Sequence, residues 1–203
     1  MPDPLGGLAY TWPLALGGAL AYLLGSIPFG LILTRLAGYG DIRTIGSGNI
    51  GATNVLRTGN KALAAATLLL DGAKGAVATI VGWRFGPDMA VIAGAAAVLG
   101  HMFPVWLRGH GGKAVATTLG VYLGIAWPVG ALACLTWLAA VGVARISSVG
   151  ALAAMVAAPV FAYWLADPQI GELALALGAL VILRHHANIR RLLKGEEPRV
   201  GRP

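Results

Sequence analysis

Long apolar stretches run along most of this chain, separated by short clusters of charge and glycine, and several reach the roughly 20 residues needed to cross a bilayer. Reading each stretch as a helix predicts seven spans, at about 12–36, 62–84, 88–107, 113–127, 128–145, 148–166 and 170–186. The fourth, short and glycine-containing, is read as tilted, half-inserted or partly loop, and a count of five or six follows if it does not cross. Pro28, after Ser26-Ile27, is expected to kink the first span, which lipid-embedded helices tolerate. With no internal repeat and no linker composition, the expectation is an all-α integral membrane protein in one domain, 1–203.

Composition agrees. At 57% hydrophobic and 11% charged residues, with a mean hydropathy of +0.75, the chain is too apolar for a soluble domain. Thirty glycines suit helices that approach closely in lipid, and also loops that wrap an anion. The single cysteine, Cys134, excludes a disulfide within the chain and a cysteine-rich metal site. No small-residue cleavage site follows the first apolar run, which therefore reads as an anchor.

Charge fixes an expected orientation. With the N-terminus outside, Arg35, Arg43, Arg57, Lys61, Arg108, Lys113, Arg145, Arg184, Arg190, Arg191, Lys194, Arg199 and Arg202 fall on one side of the membrane. Arg84, Asp3, Asp88, Asp167 and Glu172 fall on the other. The positive-inside rule makes the first side the cytoplasm. The basic excess thus reports topology rather than nucleic acid as a partner.

Three polar segments then share the cytoplasmic face: Gly46 to Asn54, His110-Gly111-Gly112-Lys113, and Arg184 through Arg191. Each combines glycine, hydroxyls or amides with fixed positive charge, the chemistry of phosphate binding. In the first, Ser47, Asn49, Thr53 and Asn54 offer neutral donors, and Arg43 and Arg57 add charge. A flexible loop with a capping Thr53 or Asn54 is the plainer alternative, but it leaves the flanking arginines unexplained. In the second, the amides of Gly111 and Gly112 and the Lys113 ammonium are expected to meet an anion, although a Walker loop is excluded by spacing. In the third, helical spacing puts Arg184, Asn188 and Arg191 on one side with His185 beside them. The alternative there is a basic helix end drawn to anionic membrane lipid. Asp71 and Lys74 share a face inside the second span, and structural pairing and a place in a polar wall remain equal readings. His101 reads more simply as a structural hydrogen-bonder.

These residues also carry a resemblance. Gly25-Ser26-Ile27-Pro28, Asp41-Ile42-Arg43, Gly46 to Asn54, Lys74-Gly75, His101 to Pro104, Gly111-Gly112-Lys113 and Arg184 through Leu192 together resemble the bacterial acyl-phosphate:glycerol-3-phosphate acyltransferases of the PlsY type. The resemblance spans nearly the whole chain. It implies seven transmembrane helices in the bacterial cytoplasmic (inner) membrane, formation of 1-acylglycerol 3-phosphate from glycerol 3-phosphate and acyl phosphate, and a soluble partner enzyme that makes the acyl phosphate. It implies no cofactor. It makes Ser47, Asn49, Thr53, Asn54, Arg57, Lys113, His185 and Asn188 the active-site candidates. His110 and Ala114 depart from the Lys/Arg-Gly-Gly-Lys-Gly pattern usual in the family.

An acyl phosphate is already activated, so positioning and charge stabilisation suffice for direct attack by the glycerol hydroxyl. No His-x-x-x-x-Asp pair exists, because Trp106, Val115, Arg190 and Arg191 stand five residues after the four histidines. His185 and a substrate phosphate oxygen are both candidate proton acceptors, and Ser47 is expected to orient substrate. No carboxylate or histidine cluster suited to a metal is visible on the cytoplasmic face: Asp41 stands alone, and Glu196-Glu197 fall in a tail expected to be mobile. A membrane transporter for an organic phosphate is the alternative function, but it calls for two-fold repeats and access from both faces.

Overall fold

In the computed structural model, which describes residues 7–200, the first apolar stretch breaks where Pro28 falls. Helix α1 is Gly7–Gly25, and α2 resumes at Phe29–Leu36. A break inside a membrane helix frees carbonyls that protein groups must satisfy. Lys74 does this: its Nζ donates to the Ile27 carbonyl at 2.9 Å and lies 2.9 Å from Asp71 Oδ1. Asp3 and Arg202, counted above for orientation, lie outside the described residues.

After a long loop holding the short helix α3 (Ala52–Val55) come α4 (Lys61–Trp83), α5 (Pro87–Met102), α6 (Val115–Ile125), α7 (Trp127–Ala144) and α8 (Ser147–Leu165). Five segments are long and apolar enough to cross a membrane: Ala9–Leu36, Lys61–Trp83, Pro87–Leu107, Trp127–Ala144 and Ser147–Leu165. Helix α9 (Pro168–Arg184) bends by 62° into α10 (His186–Leu193), and the pair taken as one gives a sixth. The expected fourth span is α6, only 11 residues, or about 16 Å at the α-helical rise. That is about half of a bilayer's hydrocarbon core.

Burial in protein explains how so short a helix is kept. Thr117 through Tyr122 are all buried, α6 packs on α4 and α7, and the Tyr122 hydroxyl donates to the Ala174 carbonyl of α9 at 3.1 Å. A Cβ at Gly120 would overlap the Gly72 carbonyl, so glycine lets α4 and α6 meet backbone to backbone. Non-helical backbone at membrane depth is tolerated where protein encloses it, and Gly112 and Ala114, just before α6, are buried.

The two ends of the bundle differ. At one end Asp88 accepts from the Tyr10 hydroxyl and from Gln169 Nε2, tying α1, α5 and α9 together. The other end gathers the 37–60 loop, the 103–114 connection, the α7–α8 corner and the chain beyond Arg184. The three polar segments of the sequence converge there.

Candidate active site

The 37–60 loop is organised around Asn54. Its side chain is buried, its Nδ2 donates to the carbonyls of Ile42 (3.0 Å), Ile45 (3.0 Å) and Asn49 (2.8 Å), and its Oδ1 accepts from Ser47 N at 3.1 Å. Ile42, Ile50 and Val55 are buried beneath it against Leu31 and Ala64. Every donor and acceptor of the Asn54 amide is therefore spent on the loop, so it shapes the site rather than offering an N–H to substrate. Gly46 turns the chain at φ +56, where a Cβ would overlap both Asn54 and the Arg57 guanidinium. Arg43 is also diverted: its guanidinium holds Asp41 (Nη2 to Oδ2 2.6 Å), as does Arg35 at 2.9 Å. Asp41, expected to stand alone, thus sits between two arginines that, with its capped backbone, hold its carboxyl well below the usual carboxylate range. The side chains left facing the cavity from this loop are Ser47, Asn49, Thr53 and Arg57. Asn49 Oδ1 is buried with no partner, and Thr53 Oγ1 lies 3.0 Å from Ser147 Oγ at the start of α8.

The Gly111-Gly112 turn is built differently from the expectation. The Gly111 amide donates to the Met102 carbonyl at 3.2 Å and the Gly112 amide to the His101 carbonyl at 3.1 Å, so neither is free for an anion. The glycines are required for close approach: a Cβ at Gly112 would overlap the His101 ring. Beyond them Ala114, one of the two departures noted from the resembled pattern, sits at φ 61. Alanine adopts this left-handed conformation at a cost of about 1–2 kcal/mol. What the turn delivers to the cavity is the Lys113 side chain, whose Nζ donates to Asn188 Oδ1.

At the bend between α9 and α10, His185 is buried with Nδ1 2.7 Å from the Val181 carbonyl. A carbonyl only accepts, so the proton sits on Nδ1 and leaves Nε2 with a free lone pair. Asn188 is buried one turn later, and its Nδ2 donates to Glu197. The tail expected to be mobile is pinned there. The Glu197 side chain is 7% exposed and accepts from Arg191 Nε at 2.6 Å and Ser148 Oγ at 2.8 Å, while Val200 N donates to the Arg145 carbonyl at 2.7 Å. Burial pushes the Glu197 pKa up, but the bonds from Asn188, Arg191 and Ser148 outweigh it and leave the group lowered. Because a carboxylate only accepts, it takes the Asn188 NH₂ group and turns Oδ1 toward Lys113.

Ser47, Asn49, Thr53, Asn54, Arg57, Lys113, His185, Asn188 and Glu197 all line one cavity of about 1110 Å³. Its polar lining includes Ser47, Asn49, Thr53, Arg57, Lys113, His185 and Asn188, together with Arg191 and Arg199. The apolar lining, Leu68, Leu69, Leu119, Leu123, Trp137 and Leu138, comes from within helices α4, α6 and α7, away from the loops and the α9–α10 bend that supply most of the polar side chains. Arg43, Gly111 and Gly112 do not line the cavity, and Asn54 borders it with its amide committed to the loop. Among the described residues, no carboxylate lies within 4 Å of a charged nitrogen of Arg57 or Lys113. Burial pulls the Lys113 ammonium down to a pKa of about 8, with Glu197 opposing and Arg191, Arg184 and Arg57 adding to the fall. Asp71 reaches the same cavity while paired with Lys74, and His101 Nδ1 is 3.6 Å from Asp71 Oδ1, so both sequence readings of that pair hold.

Sequence reasoning missed Glu197 and Arg199 as parts of the cavity wall, while Arg191, placed on one helix side with Asn188, does line it. The signal for Glu197 was a carboxylate beside Arg190, Arg191, Lys194 and Arg199, where charge complementarity favours a folded-back tail.

A family model described as glycerol-3-phosphate acyltransferase matches residues 15–195. A glycerol-3-phosphate acyltransferase of Paramagnetospirillum magneticum is 62% identical over 188 residues, 92% of each chain. One from Mesorhizobium japonicum is 56% identical over 94% of this chain and 98% of its own. Among solved structures, the glycerol 3-phosphate form of PlsY, an integral membrane glycerol 3-phosphate acyltransferase, is similar with a TM-score of 0.87 at 38% identity, covering 93% of this chain and 96% of that one. Its lysophosphatidic acid form is similar with a TM-score of 0.85 at 37% identity, covering 92% and 95%.

Proposed function

We propose that this chain, which belongs to the glycerol-3-phosphate acyltransferase family, takes its acyl group from an acyl phosphate and passes it to the C1 hydroxyl of sn-glycerol 3-phosphate. The observation that carries the reading is one cavity lined both by cations from the loops, α10 and the tail (Arg57, Lys113, Arg191 and Arg199) and by apolar side chains from within the helices, Leu123 and Trp137 among them. An acyl phosphate combines the same two chemistries. Glycerol 3-phosphate, all polar, matches only the cationic lining.

In the reaction the glycerol oxygen attacks the acyl carbonyl, the new ester C–O bond forms, and the bond from the carbonyl carbon to the phosphate oxygen breaks. Inorganic phosphate leaves, and the hydroxyl proton ends on phosphate, directly or through His185 Nε2. Arg57 and Lys113 hold the phosphates and offset charge that grows on the departing one. Asn188 holds the Lys113 ammonium, and Asn49, Thr53 and Ser47 orient substrate oxygens. Ser47 has its hydrogen bonds to Asn54 rather than to a base, which fits orientation rather than an acyl-enzyme. A soluble enzyme that makes the donor would supply it from the cytoplasm.

Purified protein given acyl phosphate and glycerol 3-phosphate is expected to release lysophosphatidic acid and inorganic phosphate one for one. A long-chain acyl-coenzyme A should be inert, and comparable turnover with it overturns the acyl-phosphate assignment. Orientation has its own test in cells, using an impermeant thiol reagent on a Cys134→Ala background. Phe85→Cys and Asp167→Cys, both at exposed positions, are expected to label from outside, and Thr44→Cys and Gly195→Cys are not. The reverse pattern puts the cavity on the outer face.

A further inference from the structure

Arg184 does not line the cavity, yet it grips the backbone that delivers Lys113. Its Nη2 donates to the Gly111 carbonyl at 3.3 Å and to the Gly112 carbonyl at 3.2 Å, and its guanidinium lies over the Phe103 ring, 5.4 Å from the centroid. The Gly112 carbonyl belongs to the peptide unit that ends at the Lys113 nitrogen. On the other side of the turn, the Gly111 and Gly112 amides are held by the Met102 and His101 carbonyls. The turn is therefore clamped from two sides, by the end of α5 through its N–H groups and by the end of α9 through its C=O groups.

Both clamps are needed for a flexible side chain to act at a fixed point. Lysine carries a compact charge on a long, mobile stem, so its position is set by what fixes its Cα and its tip. The tip is held by Asn188, four residues beyond Arg184 on the same bent α9–α10 segment. The segment that captures the Lys113 ammonium thus also fixes the Lys113 backbone. We infer that Arg184 is a positioning residue for the reaction, holding the Gly111-Gly112 turn so that Lys113 meets the substrate phosphate. The inference rests on the reading of Lys113 as a phosphate-binding cation.

Arg184 contributes a second effect that a purely structural clamp would lack. It is one of the charges facing Lys113, with Arg57, Arg191 and Glu197, and it helps hold the ammonium pKa near 8. Losing one cation should let Lys113 keep its proton to higher pH.

The test is a double-mutant cycle on purified protein in detergent. Arg184→Met is expected to lower kcat/KM about tenfold when Lys113 is present and to have little further effect in a Lys113→Ala background, since coupled residues do not add. It should also move the alkaline fall in kcat/KM to higher pH, while Arg184→Lys, which keeps the charge, leaves that fall where it is and recovers part of the rate. If Arg184→Met costs the same with and without Lys113, or costs nothing, the positioning role is overturned. Where Arg184→Met does not yield folded protein, the same cycle run with Arg184→Lys decides, and an equal loss in both backgrounds again overturns it. A Lys113→Ala enzyme with normal activity would instead sink the reading of Lys113, a separate failure.

Discussion

Replacing Lys113 with alanine is expected to cut kcat/KM by about two to three orders of magnitude, the size seen when one preorganised group facing developing charge is removed. On the proposed acyl-phosphate reaction the cavity holds two phosphates during turnover, and few cations are there to meet their charge. Arg57, Lys113 and Arg199 are the cavity cations without a carboxylate within 4 Å among the described residues, and of these Arg57 and Lys113 stand beside the Ser47–Asn54 loop and Asn188, whereas Arg191 already serves Glu197. Losing either one leaves phosphate charge in a partly closed, low-dielectric site, where each interaction is stronger than in water. Arg57→Ala should fall in the same range. Arg57→Lys should remain poor if Arg57 uses its planar fork on two phosphate oxygens, because lysine offers a single point charge. Steady-state assays of folded, monodisperse protein check this, and near-normal kcat/KM in either alanine variant returns that residue to a helix-end or loop cation.

Much of this arrangement is legible in the sequence because membranes impose simple rules. Apolar length marks the long helices, and Pro28 marks the break between α1 and α2. Cation placement predicts that the three polar segments share a face, and the structure does gather them at one end of the bundle. The gathering of the candidate side chains was legible too, since Ser47, Asn49, Thr53, Arg57, Lys113, His185 and Asn188 all line one cavity. What failed was the assignment of backbone and amide groups. Residue type shows that Gly112 and Asn54 have hydrogen-bonding capacity, but not who uses it first. The Gly112 amide goes to the His101 carbonyl, and the Asn54 amide to three loop carbonyls, because buried backbone groups must be satisfied before any ligand arrives. The fourth stretch, read as tilted, half-inserted or partly loop, is the 11-residue α6, and hydropathy could not choose among those readings because it does not distinguish enclosure by helices from enclosure by lipid. The Glu197 contact with Ser148 closes over 49 residues, a pairing with no local signature.

Asn54 gives the sharpest division between the two ways of reading this site. As a substrate ligand, it would contribute one or two hydrogen bonds, and Asn54→Ala would raise KM while leaving kcat largely intact. As the organiser of the loop, it supports Ile42, Ile45 and Asn49 at once and receives Ser47 N, with its side chain sealed from solvent. Asn54→Asp is then expected to be worse than Asn54→Ala. The new carboxylate is nearly isosteric, but it places an acceptor against three carbonyls that had donors, and it buries a charge. Each unsatisfied buried group costs about 1–3 kcal/mol, and more when charged. The loop should open under that cost while the transmembrane helices, stabilised by their own packing, remain. The expected result is activity at or below about 1% of the parent, with normal extraction into detergent and new protease cleavage between residues 42 and 57. Asn49→Asp makes the matched control, because Asn49 Oδ1 is buried without a partner and its side chain supports no other part of the loop. That variant should lose activity by repelling phosphate yet keep the loop resistant to protease. Equal protease resistance in both variants, with Asn54→Asp changing only KM, would return Asn54 to the set of substrate ligands.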